Sequence, residues 1–237
     1  MKFMLMIMTD EKAEAALPAA EIDDIVAQHT AVMRELRAAG KWVWSSRLRF
    51  SPEATTIRVQ DGRHVMHDGP FAETKEQLGG FYLIEADSKE EAVAWAKKLP
   101  LREVGAIEVR PARTGAQWPG DLRPAQQFVV MFIANADRPM SKAEVFQAID
   151  SHYELSLDLA AQGKFVSSRA LEPSATAATV RSRNGQAVVS DGPFAETKEF
   201  VAGYFVIACD TKHEAIEWAR QLMFGSAACE VRPVWKT

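Results

Sequence analysis

The nine residues DGPFAETKE occur twice in the chain, at 68–76 and again at 191–199. A tight turn accounts for the first four. Asp bonds nearby backbone N–H groups, Gly supplies an unusual φ, Pro fixes the next residue, and Phe plugs a core. A turn does not account for Ala-Glu-Thr-Lys-Glu. Solvated loop residues drift, as Gln77/Phe200 and Leu78/Val201 just beyond the motif have done. Charges kept in both copies point to an internal ion-pair network or to a ligand site.

Outward from the motif, the whole chain proves to be a duplication. A shift of 123 lays residues 62–99 on 185–222 with 20 of 38 positions identical. FMLMIM (3–8) falls on FVVMFI (128–133), AAGKWV (38–43) on AQGKFV (161–166), and EVRP closes both copies at 108–111 and 230–233. The Gly- and Pro-rich stretch ARTGAQWPGDLRPA lies between them. The division is therefore a first unit at 1–111, a linker at 112–125 and a second unit at 126–237.

Each copy begins with an apolar strand. A helical stripe follows in the first copy, through Ile22, Ile25, Val26, His29, Met33 and Leu36, ended by Gly40. TTIRVQDGRHVMH carries a hairpin signal at Asp61-Gly62, and GGFYLIEA reads as a strand. Ser88 and Glu91 open a second helix as a capping box, and AIEVRP is the last strand. Without the extra hairpin this is βαββαβ, the ferredoxin-like order. Two helices cover one face of such a sheet, yet the first strand is apolar at every position, which implies burial on both faces. The expected fold class is α+β: two ferredoxin-like units, each with an extra hairpin, packed sheet to sheet as a pseudo-dimeric α+β barrel.

Composition narrows the function. Net charge is −4, from 28 Lys+Arg against 32 Asp+Glu, with no basic stripe, so no nucleic-acid partner is expected. No 18 apolar residues run together, and the apolar N-terminus reads as a buried strand rather than a leader; a cytoplasmic protein without a membrane partner is expected. Cys209 and Cys229 are the only cysteines, which suits neither a disulfide framework nor a cysteine metal site. No His/Asp/Glu spacing matches a zinc motif, and no phosphate-cradling Gly-rich loop or nucleophile elbow is present. No metal or cofactor is expected.

Titratable residues recurring at equivalent places are the candidates for chemistry. His29 lies on the apolar stripe of the first helix, and His152 takes the same place in the second copy. Each is either a satisfied core histidine or a proton-transfer group, with Asp68 and Asp191 the carboxylates nominated to orient them. Glu73, Lys75, Glu196 and Lys198 from the motif, with Arg47, Arg169, Arg110 and Arg232, are candidates for holding an anionic ligand. The plainer readings are an ion-pair network for the motif charges and an edge-solvating role for the arginines beside Glu108 and Glu230.

The element order, the helix histidine, DGPFAETKE followed by GGFYLIEADSKEEAVAWA, and the closing IEVRP resemble the YCII-related proteins, specifically their DGPF-motif subgroup. The resemblance covers nearly all of both copies. It implies a ferredoxin-like unit that pairs into a dimeric α+β barrel, here as a tandem fusion. It also implies a His–Asp acid/base site, whose histidine maps onto His29 and His152, and a regulatory link to extracytoplasmic-function sigma factors. Two functions follow. One is a cofactor-independent enzyme acting on a small anionic or carbonyl compound; the other is a non-catalytic module for a ligand or a regulatory protein such as a sigma factor. Further oligomerisation is compatible with both.

Overall fold

The computed structural model describes residues 1–72, 74–102, 105–113, 115–117, 125–224 and 228–235. Glu73 and most of the 112–125 linker lie outside the described residues. The first copy runs β1 (Lys2–Thr9), α1 (Glu11–Ala15), α2 (Ala19–Ala38), β2 (Trp42–Arg47), β3 (Thr55–Gln60), β4 (Arg63–Asp68), β5 (Gln77–Glu85), α3 (Lys89–Ala96) and β6 (Ala106–Ala112). The second runs β7 (Gln126–Asn135), α4 (Lys142–Ala161), β8 (Phe165–Ala170), β9 (Ala178–Arg183), β10 (Gln186–Asp191), β11 (Glu199–Cys209), α5 (Lys212–Leu222) and β12 (Ala228–Pro233).

These strands form two six-stranded antiparallel sheets, ordered β10-β9-β6-β1-β5-β2 and β4-β3-β12-β7-β11-β8. With the hairpins set aside, each shows the ferredoxin-like order: last, first, third, second. The fold is α+β, two ferredoxin-like units. The hairpins make the surprise. β3–β4 from the first copy pairs with β12 of the second, and β9–β10 from the second copy pairs with β6 of the first. The compact units are accordingly 1–47, 74–113 and 171–196 in one, and 48–73, 114–170 and 197–237 in the other. Sequence copy and compact unit are different divisions of the chain.

Local chemistry explains each hairpin. Asp61 and Asn184 adopt φ of 50° and 53°, and the glycines after them 73° and 71°, so both loops are the two-residue kind whose twist suits paired strands. In both units the strand next to the β2 or β8 edge, β5 or β11, carries a β-bulge, at Gly79 and Ala202, followed by Gly80 or Gly203. A Cβ on either of these two glycines would come within 2.7 Å of a carbonyl oxygen of the neighbouring strand, Ser46 or Arg169.

One face of the first unit's sheet forms its core. Phe3, Leu5, Tyr82, Ile84, Ile107 and Val109 pack with Val32 and Leu36 of α2 and with Ala92, Val93 and Ala96 of α3. Met4 and Met6, which alternate with Phe3 and Leu5, are buried as well, so β1 is buried on both faces as its unbroken apolar run implied. The second unit repeats the plan with Phe128, Val130, Phe132, Phe205 and Ile207 against Leu159, Ala215, Ala219 and Leu222. No helix among the described residues is long and apolar enough to cross a membrane.

Candidate functional site

The repeated motif sits at the end of each exchanged hairpin, and its first half is built as a turn. Gly69 has φ +103° and Gly192 +94°, a region that suits glycine. The Gly69 N–H donates to the Ala54 carbonyl at 3.0 Å, and Gly192 does the same to Ala177 at 2.9 Å. Thr56 Oγ1 donates to the Gly69 carbonyl, and Thr179 Oγ1 to that of Gly192, at 2.8 and 2.9 Å.

The rest of the motif docks that turn onto the sheet it joins. The Phe71 N–H donates to Glu230 at 2.9 Å, and the Phe194 N–H donates to Glu108 at 3.1 Å. Glu230 and Glu108 are the acids of the two EVRP segments, buried, and each is paired with the buried arginine two residues on, Arg232 or Arg110. Arg58 of β3 donates to the Phe71 carbonyl at 2.7 Å and bidentately to Glu199 at 2.6 and 2.9 Å. Arg181 of β9 repeats this with the Phe194 carbonyl at 3.0 Å and Glu76 at 3.2 Å. Glu76 and Glu199 are the last residues of the two motifs. Each motif thus spans a boundary between the compact units, at 73/74 and 196/197, with its turn in one and its final acid in the other. Two reciprocal exchanges need the same clasp twice, which accounts for the repeated glycine and final acid of each motif.

The network reading of the motif therefore holds for different charges than those nominated. Lys75 and Lys198 are exposed, paired across the surface with Asp10 and Asp137. Glu196 is exposed. Arg110 and Arg232 are committed to Glu108 and Glu230 rather than solvating an edge. Arg169 is buried with Nη1 on the Ser168 carbonyl at 2.7 Å, while Arg47 is exposed, 3.3 Å from Glu14. Arg58, Arg181, Glu108 and Glu230 were the missed residues. Their signal was available: Arg58 and Arg181 stand 123 apart, and EVRP recurs, but the pairing crosses copies and a comparison of each copy with itself cannot show it.

The two histidines occupy matching places and make unlike contacts. His29 on α2 faces Tyr82 on β5, with Nδ1 3.2 Å from the Tyr82 hydroxyl and the rings stacked at 5.9 Å. That hydroxyl also lies 3.4 Å from the His29 carbonyl. Burial, helped by the Arg47 charge, lowers the His29 pKa to about 4, and burial lifts Tyr82 to about 12; both are neutral at pH 7. Among the described residues Nε2 of His29 has no hydrogen-bond partner. His152 instead donates from Nε2 to the Leu222 carbonyl at 2.7 Å, stacks on Phe132 and meets Phe205 edge-on. Its pKa is lowered by burial, against the opposing pull of that hydrogen bond. The asymmetry traces to one exchange: Tyr82 of the first copy is replaced by Phe205 in the second.

The expected His–Asp pairs are not among these contacts. Asp68 ends β4, exposed, with Thr55 Oγ1 3.4 Å away; Asp191 ends β10, exposed, with Lys89 at 3.4 Å. Each hairpin crosses to the other unit and carries its aspartate with it, so Asp68 belongs to one unit and His29 to the other, and likewise Asp191 and His152. What remains around His29 is a neutral imidazole held at Nδ1 by a phenol, with a guanidinium nearby. That arrangement can donate to or accept from a small polar group at Nε2, according to which way the Tyr82 proton points.

Comparison with known proteins agrees with the duplication. An uncharacterized protein, R00369, of Rhizobium meliloti (strain 1021) is 38% identical over 113 residues, which are 47% of this chain and 91% of that protein. A heme-binding protein of Thermus thermophilus superposes at a TM-score of 0.43 with 9% identity, over 99% of this chain and 90% of that one, a likeness too distant to carry an argument. The YCII-related domain matches the chain at residues 1–114 and again at 129–237, so the protein belongs to the YCII-related family as a tandem of two copies.

Proposed function

We propose that this YCII-related protein, of the DGPF-motif subgroup, binds a small anionic molecule at His29, with Arg47 as the charge partner and Tyr82 setting the tautomer. The observation that carries this reading is the contrast between the histidines. His152 spends Nε2 on the Leu222 carbonyl and is enclosed by aromatic rings, the pattern of a structural histidine. His29 has only its Nδ1 partnered among the described residues and sits where the Arg47 charge is felt. An anion placed between them would screen Arg47 and raise the His29 pKa, so ligand and proton uptake would be coupled.

Binding is favoured over acid/base catalysis. A histidine held at about 4 is a weak base at neutral pH, and its Nδ1 partner is a phenol rather than a carboxylate. The test is a thermal-shift screen of small mono- and dicarboxylates with long-range ¹H–¹⁵N NMR of the imidazoles. A binding carboxylate is expected to raise Tm and move the His29 Nε2 resonance while leaving His152 in place, and His29→Asn to abolish both changes. A ligand whose Tm shift survives His29→Asn would sink the site.

A further inference from the structure

Helix α4 breaks three rules, all on one outer face, that its counterpart α2 either keeps or compensates. First, Phe146, Ile149, Tyr153 and Leu157 recur at helical spacing and are 66%, 49%, 61% and 47% exposed. A soluble helix buries such a stripe. Second, Asp150, Glu154 and Asp158 follow each other at i, i+4 and i+8 alongside it, and among the described residues none forms an ion pair. Like charges four apart weaken a helix. Third, Asp158 stands in the last turn, where the helix dipole disfavours an acid, and that turn has no basic residue. At the equivalent places α2 has Asp23, Val26, Thr30 and Arg34 for the apolar stripe, and Ala27, Ala31 and Glu35 for the acids. Glu35 is neutralised by Lys98 at 2.7 Å, and the last turn of α2 contains Arg37. The fold therefore asks for none of these features.

Local rules broken together on one face, without gain inside the molecule, mark a surface completed by something else. We propose that the outer face of α4 docks an amphipathic helix of another protein, one with an apolar stripe flanked on one edge by Lys or Arg. The apolar stripe supplies the anchors and the acidic ridge selects the charge and orientation of the partner. A second copy of this chain fits less well, since it would bring an equally acidic ridge and a single cation, Lys142, at the far N-terminal end of its own α4. This surface is separate from the His29 site and does not depend on it.

The test uses the full chain and two synthetic 18-residue helical peptides with the same Leu stripe, one edged with Lys and the other with Glu. The Lys-edged peptide is expected to bind at least about tenfold more tightly than the Glu-edged one, with affinity falling as salt rises. Phe146→Ser with Tyr153→Ser should abolish binding. Asp150→Asn, Glu154→Gln and Asp158→Asn together should weaken it about tenfold, remove the salt dependence and leave Tm unchanged or higher. These positions are exposed, so the variants should fold, and circular dichroism checks that they do. Equal binding of the two peptides, no binding at millimolar peptide, or sedimentation showing a dimer that Phe146→Ser with Tyr153→Ser dissolves would each overturn the proposal.

Discussion

At the scale of single residues, the buried polar groups set both pH dependence and stability. His29 has a folded pKa of about 4 against an ordinary 6.5, because burial disfavours its charged form. Protonation therefore favours the unfolded chain. The stability this histidine contributes is complete above about 6.5 and is lost as pH falls towards about 4. Urea unfolding should show a loss of about 2 kcal/mol at pH 5 relative to pH 7.5, and His29→Asn should flatten that slope. An unchanged slope would mean that the imidazole is not desolvated. Glu230 is a second sensitive point: it is fully buried, holds Arg232 and accepts from Phe71. Glu230→Gln leaves a buried guanidinium without its counter-charge, and a loss of roughly 3–5 kcal/mol is expected in the same assay.

At the scale of elements, the exchanged hairpins depend on their clasps. Arg58 ties β3 to both Phe71 and Glu199, and removing it as Arg58→Ala should cost about 1–3 kcal/mol, because charge-assisted bidentate bonds are lost from a partly buried site. Hydrogen exchange in β3 and β4 should quicken ahead of the remaining strands of that sheet; uniform quickening would argue against a local clasp. Lys75→Ala tests the motif's other charge. Its ammonium is exposed and 3.6 Å from Asp10, so the change should stay within about 0.5 kcal/mol. A larger loss would mean that the exposed half of the motif contributes to the fold.

At the scale of the whole molecule, neither copy owns a complete sheet. The β6 edge is covered by β9 from the other copy, and the β12 edge by β3. A protease site placed within 118–124 and cut in the folded protein should leave two fragments that co-elute, held by backbone ladders rather than by the covalent connection. Fragments that separate on a sizing column without denaturant would show the exchanged hairpins to be weakly bound.

What the sequence determined by itself was everything carried by local pattern. The alternation of apolar residues, the turn signals at Asp61-Gly62 and in the motif, and the caps name the strands and helices, and the internal repeat gives two ferredoxin-like units. The unbroken apolar run of β1 foretold burial on both of its faces. Tertiary structure decided who pairs with whom. A hairpin's residues look the same whether it joins its own sheet or its twin's, because strand pairing uses backbone groups common to all residues but proline. The partners of Arg58, Glu108 and the motif acids were for that reason invisible in either copy read alone. The fates of the histidines were decided there too. Whether an imidazole nitrogen finds a carbonyl, as His152 finds Leu222, or is left unmatched depends on the few ångströms between helix and sheet, a separation set by packing and not by spacing along the chain.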